Sequence, residues 1–211
     1  MMHEHAHKPL HLAVLASGRG SNFEAIQQAI IQGQLDAEIC ILLSDKEDAV
    51  ALEKARRDGI PAVFVNPHAF STREKYEMEI IRQLAPYPID IIVLAGYMRL
   101  LGKVLLHSFG MKIVNIHPAL LPSFTGLHAQ RQALEYGVKF SGCTVHFVDE
   151  GMDTGPIILQ AVVPVLNDDT EDRLTARILL EEHRIYKEAL QLIARGKIQV
   201  LGRRVLISEG E

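Results

Sequence analysis

The sequence predicts an α/β fold: a mostly parallel, mixed sheet of about seven strands with helices on both faces. Three observations carry that expectation. Short Ile-, Val- and Leu-rich runs alternate with segments of helical spacing, a glycine-rich turn follows the first run, and two later runs are joined too tightly for a helical crossover.

Taken in order, Leu10 to Ala16, Glu38 to Ser44, Ala62 to Asn66 and Ile89 to Ala95 read as buried strands, because they are short, branched and bounded by Gly, Pro, Asp or Asn. Between them Asn22 to Ile31, Ala49 to Asp58 and Thr72 to Leu84 carry helical spacing, which makes parallel βαβ units. A fifth strand is expected at Lys112 to His117, then a proline-rich turn and a helix from about Leu127 to Tyr136. Gly142 to Asp149 and Ile157 to Leu166 form two strands on a short loop, so the sheet turns mixed. A long helix from about Thr170 to Ala194 follows, capped by Thr170 or Asp169, with Leu174, Ile178, Ile185, Ala189 and Ile193 in one apolar stripe. Lys197 to Ile207 reads as a terminal hairpin turning near Gly202. No repeat or linker divides the chain, so residues 10–211 are expected to form a single domain behind a disordered or tag-like start at 1–9.

Composition narrows the function classes. The 211 residues are 48% apolar and 23% charged, ordinary for a globular protein with one substantial core. A formal charge of −4, without basic clustering, argues against a nucleic-acid partner. No apolar stretch approaches the roughly 18 to 20 residues a membrane span needs, and no signal-peptide core is visible, so a cytoplasmic protein without a membrane partner is expected. Cys40 and Cys143 sit in apolar runs outside any metal-ligand spacing, which suits a reducing compartment and core filling. His3, His5 and His7 alternate at the start and read as a frayed tail, with a loosely held metal as the alternative; the chemistry itself needs no metal.

The first strand leads into Ser17-Gly18-Arg19-Gly20-Ser21-Asn22-Phe23. Glycines allow a sharp turn, and the free amides at the following helix start attract an anion, so a phosphate site is the functional reading. A purely structural tight turn is the alternative. Phe23 stands where a dinucleotide fingerprint needs a third Gly or Ala, and the Lys-Ser or Lys-Thr of a Walker loop is missing.

The fifth strand ends in Asn115-Ile116-His117-Pro118. Residues two apart on a strand project to one side, which places a carboxamide beside an imidazole near the carboxyl end of the sheet, where such folds bind ligands. Asp153 lies in a glycine-flanked loop able to wrap a ligand. A carboxylate beside an imidazole favours the charged ring and orients it, while the plainer readings are a structural histidine and an acidic turn.

Together these pieces resemble the glycinamide ribonucleotide transformylases, folate-dependent enzymes of the early purine pathway. The resemblance runs from Leu10 to about Ile193, through Gly18-Arg19-Gly20-Ser21-Asn22, Leu94-Ala95-Gly96-Tyr97-Met98-Arg99-Leu100-Leu101, Asn115-Ile116-His117-Pro118, Leu120-Leu121-Pro122 and Asp153-Thr154-Gly155-Pro156. It implies a Rossmann-like formyltransferase fold, with Asn115, His117 and Asp153 as the catalytic triad. By the same resemblance Gly20, Ser21, Asn22 and Glu182 receive the ribonucleotide. Arg73, Met98, Arg99, Leu100 and Leu101 are folate-site residues, together with Asn115 and the loop of Asp149, Glu150, Gly151, Met152 and Asp153. The implied substrates are 10-formyltetrahydrofolate, as formyl donor, and glycinamide ribonucleotide; a homodimer is an assembly this reading leaves open. Leu179 departs from relatives that carry a polar residue there, and His146 is expected either to help position His117 or to fill the core.

The resemblance also implies direct attack of the glycyl amine on the formyl carbon, with Asn115 and His117 stabilising the oxyanion and Asp153 assisting proton transfer. The alternative activity is hydrolysis of the same formyl folate by water. Relatives of that kind carry an N-terminal regulatory domain, whereas only nine residues precede the first strand here.

Overall fold

The structure, a computed structural model, describes residues 8–208. Its strands are β1 (Leu10–Leu15), β2 (Ala37–Ser44), β3 (Ala62–Phe64), β4 (Ile91–Leu94), β5 (Ile113–His117), β6 (Phe140–Phe147), β7 (Ile157–Pro164), β8 (Ile198–Leu201) and β9 (Arg204–Ile207). The helices are α1 (Ser21–Ile31), α2 (Val50–Arg57), α3 (Arg73–Leu84), α4 (Lys103–Phe109), α5 (Ala129–Tyr136) and α6 (Glu171–Ala194). All strands join one sheet in the order β3-β2-β1-β4-β5-β6-β7-β9-β8.

The pairing is parallel from β3 to β5 and antiparallel from β5 through β6 to β7, the mixed sheet that the short 148–156 connection requires. Among the described residues the sheet has nine strands, not about seven. The difference is the terminal hairpin, which docks on the edge through a single parallel pair, Ile157 with Arg204. Hairpin formation is local; its docking on β7 is a tertiary event that strand periodicity does not encode. The histidines at 3, 5 and 7, and most of the 1–9 segment expected to be tag-like, lie outside the described residues.

Alternate residues of the central strands feed two cores. Leu12, Val14, Val93, Val114, Ile116, Cys143 and Val145 pack on the side of α1, α2, α5 and α6. Ala13, Leu15, Ile92, Leu94 and Ile113 face α3 and α4. The α6 stripe forms as expected, with Leu174, Ile178, Ile185 and Ala189 buried and Ile193 partly so. Tyr186 adds an anchor: its fully buried hydroxyl lies 3.0 Å from the Leu94 carbonyl and 2.9 Å from that of Val114. Burying such a ring stabilises the fold by about 2 to 3 kcal/mol.

Thr170 caps α6 by accepting from the Arg173 amide, whereas Asp169 binds the Arg177 guanidinium through both oxygens at 2.7 and 2.9 Å. The seven-residue α4 had no sequence signal, being too short to display a period. It is held from outside: the buried Glu77 carboxylate of α3 accepts from the backbone amides of Gly102 and Leu105 at its first turn. No helix among the described residues is long and apolar enough to cross a membrane.

Candidate active site

The turn after β1 is fixed by neighbours on both sides. Ser17 donates its amide to the Gly96 carbonyl, and Gly18 accepts from the Ala51 amide of α2. Gly20 has φ +69°, and a β-carbon there would stand 2.7 Å from the Ala51 side chain. Glycine is thus required twice at position 20, by dihedral and by close approach. No described side chain caps α1, which leaves its first amides for an anion.

Asn22 and Glu182 meet behind this turn. The Asn22 amide nitrogen donates to Glu182 at 2.8 Å, and the Asn22 amide oxygen is buried without a partner. Burial raises the Glu182 carboxyl above the usual carboxylate range, against the opposing pull of the Asn22 hydrogen bond. A buried carboxylate and an unmatched amide oxygen are costly in isolation, and a polar ligand relieves that cost.

The second cluster lies where the sheet turns antiparallel. In the β5 to β6 register Asn115 faces His146 and His117 faces Thr144, which puts all four side chains on the sheet face that α3 and α4 cover further along. At the carboxyl end of β5 the 118–128 and 148–156 segments fold over that face. Thr144 anchors the first of them, accepting from the Leu121 amide and donating to the Ala119 carbonyl.

His117 is 5% exposed. Its Nε2 lies 2.8 Å from the Phe124 carbonyl oxygen, which makes Nε2 a donor, and its Nδ1 lies 3.4 Å from Asp153 Oδ2. That Asp153 oxygen also accepts from the Gly126 amide at 2.8 Å, so one carboxylate joins both covering segments. Asp153 itself holds a left-handed φ of 55°. Backbone strain of that kind in a non-glycine residue gathers at functional sites.

Of the two roles expected for His146 the structure shows a buried histidine, 2% exposed, and no hydrogen bond to His117. Its Nδ1 donates to the Phe147 carbonyl at 2.9 Å, leaving Nε2 as an acceptor 3.2 Å from the Asn115 amide nitrogen. It orients Asn115, not His117. His146 also lies 3.8 Å from Asp153, a separation that counts as an ion pair only if the ring is charged. Burial pushes this ring towards neutrality, and the neutral acceptor tautomer is the one its two hydrogen bonds require. With one hydrogen spent on His146, the second on the Asn115 nitrogen remains for a ligand.

The remaining expected residues fall on two rims. Met98, Arg99 and Leu100 are exposed on the loop after β4, with Leu101 half-buried and Arg73 at the start of α3 packed beside Gly102. Arg99 stacks over the Tyr76 ring at 5.3 Å, and the Tyr76 and Tyr97 hydroxyls are 2.7 Å apart. On the other rim Asp149 accepts from the Gly151 amide and the Thr154 hydroxyl, closing the 149–153 turn on itself. Glu150 and Gly151 are exposed, and Met152 reaches toward Gly126. Leu179 is half-buried on α6.

A cleft lined by His11, Cys40, Ile60, Tyr87 and Pro88 lies at the amino ends of the strands, away from all these residues. Both cysteines are free and buried. Among the described residues no group of three or more His, Cys, Asp or Glu side chains is placed to hold a metal.

The chain is similar to known proteins over most of its length. The family model described as formyl transferase matches residues 10–190. The phosphoribosylglycinamide formyltransferase of Bacillus subtilis is 45% identical over 88% of this chain and 97% of its own length. The trifunctional purine biosynthetic protein adenosine-3 of Drosophila melanogaster is 46% identical over 88% of the chain, which spans only 14% of that longer protein. Among solved structures, glycinamide ribonucleotide transformylase 1 from Symbiobacterium toebii superposes with a TM-score of 0.95 at 47% identity, covering 99% of this chain and 98% of that one.

Proposed function

This chain belongs to the formyl transferase family, and from that premise we propose that it moves the formyl group of 10-formyltetrahydrofolate onto the glycyl amine of glycinamide ribonucleotide, a step of de novo purine biosynthesis. The observation that carries this reading is the meeting of Asn115, His117 and Asp153 where the 118–128 and 148–156 segments fold over the end of β5.

The ribonucleotide phosphate sits on the amides of Gly20, Ser21 and Asn22, and Glu182 receives its remaining polar groups. The folate lies between Arg73 with the 98–101 loop and the 149–153 loop. An α-amino group ordinarily titrates at about pH 7.7 to 8.0 and is already partly neutral near pH 7, so no covalent enzyme intermediate is required. The amine nitrogen attacks the formyl carbon, a C–N bond forms, and negative charge gathers on the former carbonyl oxygen. The free Asn115 hydrogen is one donor to that oxygen. His117 is the other through Nδ1, because Nε2 is committed to Phe124 and the Nδ1 contact with Asp153 is long at 3.4 Å. One such donor contributes about 3 to 4 kcal/mol to the transition state. Asp153, directly or through a water, takes the proton from the attacking nitrogen and delivers it to folate N10 as the N10 to carbon bond breaks.

One formyltransferase domain, residues 10–211, suffices for this chemistry. We place it in the cytoplasm, in keeping with its two free cysteines, with small-molecule partners and neither nucleic acid nor membrane; a homodimer is compatible with this placement. The test is incubation with 10-formyltetrahydrofolate, with and without glycinamide ribonucleotide. Formyl loss that depends on the ribonucleotide is expected. Loss without it would make the protein a hydrolase, and tight binding without loss a binding module.

A further inference from the structure

Ser17 lies outside both the triad and the ribonucleotide contacts, yet it touches three strand ends. Its hydroxyl donates to Asp45 Oδ1 at 2.5 Å, just past β2, and accepts from the Met98 amide at 2.8 Å, past β4. Its own amide donates to the Gly96 carbonyl at 3.1 Å. A serine hydroxyl has one hydrogen, and Asp45, only 4% exposed, fixes where that hydrogen points. The lone pairs are thereby aimed at Met98.

Resting on the substrate assignment above, we infer that Ser17 is a positioning residue that couples the two substrate sites. Three residues after Ser17 the chain enters the Gly20 to Asn22 turn, and Ala51 of α2 holds that turn through Gly18 and Gly20 with little slack. On the folate side, the Ser17 amide donates to Gly96 and the Ser17 hydroxyl accepts from Met98, and these two bonds straddle Tyr97 and fix the start of the 97–102 loop. The far side of that loop rests on α3 through the Tyr76 and Tyr97 hydroxyls and the Arg99 to Tyr76 stack. Either ligand therefore acts on the same short, tightly tied bridge, and a position of the bridge favoured by the first ligand is already in place for the second. The coupling is reciprocal by thermodynamic necessity.

Calorimetric titration tests it. Tetrahydrofolate, which has no formyl group to transfer, is titrated into the full chain without and with saturating glycinamide ribonucleotide. In the wild-type chain the ribonucleotide is expected to tighten folate binding by about tenfold. Ser17→Ala should reduce that factor below about twofold while each ligand alone binds within about threefold of wild type, and Ser17→Thr should restore it. Asp45→Ala, which frees the hydroxyl to rotate, should also lower the factor and serves if Ser17→Ala fails to fold. A full factor in the folded disruptive variant, or no factor in the wild-type chain, overturns the coupling. A wild-type chain that binds neither ligand overturns the substrate assignment and the coupling with it.

Discussion

The proposed phosphate turn and the proposed triad lie at the carboxyl ends of β1 and β5, with β4 between them, and are built of different material. The turn is backbone: amides at a helix start, one left-handed glycine and an alanine packed against it. The triad is side chains from β5 and a distant loop, brought together by antiparallel register and by Asp153 bridging to Gly126. In the turn the backbone conformation itself would form the proposed anion site, so a substitution there should act on folding and affinity together. In the triad, conformation and chemistry separate, so a substitution can remove turnover and leave the fold.

The sharpest way to break this contrast is at the triad. His117→Ala and Asp153→Asn should each lower kcat by roughly 10²- to 10⁴-fold, with tetrahydrofolate affinity in calorimetry within about threefold of wild type. Equal losses of affinity and turnover would erase the distinction. Gly20→Ala should behave in the opposite way. Its strained φ and the 2.7 Å approach to Ala51 should destabilise the protein by about 1 to 3 kcal/mol in a denaturant titration and raise the ribonucleotide KM more than the folate KM.

Glu182 sharpens the comparison because it sits behind the turn yet is a side chain. Its carboxyl is raised in the folded protein, so its contribution to stability is full below the unfolded carboxylate value and declines as pH rises through the folded one. Glu182→Gln should therefore gain stability over wild type as pH is raised from 4 to 8, read by thermal unfolding. The same variant should raise the ribonucleotide KM by about tenfold or more. The smallest effect belongs far from both sites. The Arg177 guanidinium and the Leu166 amide hold Asp169 down to about 2, so its stabilisation is present above the ordinary carboxylate range and is lost as pH falls toward about 2. Asp169→Asn should lower the melting temperature at pH 7, with the difference from wild type closing as the pH falls from 4 toward 2.

The same contrast explains what could be read before the structure. The glycine turn is contiguous, and its Gly20 requirement is half local, so a sequence displays it; the Ala51 contact that completes the requirement comes from another βαβ unit. Asn115 and His117 are two apart on one strand and were visible as a pair. Asp153 and His146 are legible as candidates near them, but the contacts each makes are not. His146 meets Asn115 only through the β5 to β6 register, which strand patterns leave undefined, and the Phe124 carbonyl and Gly126 amide are backbone groups with no residue-type signal. The Ser17 bridge, the Glu77 cap of α4 and the docking of the last hairpin fail to show for the same reason: each joins segments far apart in the chain.

The most direct measurement is a double-mutant cycle on His117 and Asp153, using single-turnover formyl transfer under saturating ribonucleotide. If the two side chains act as one unit on the reacting centre, His117→Ala combined with Asp153→Asn should be barely slower than the worse single variant. Losses that multiply, as they do for independent sites, would contradict it.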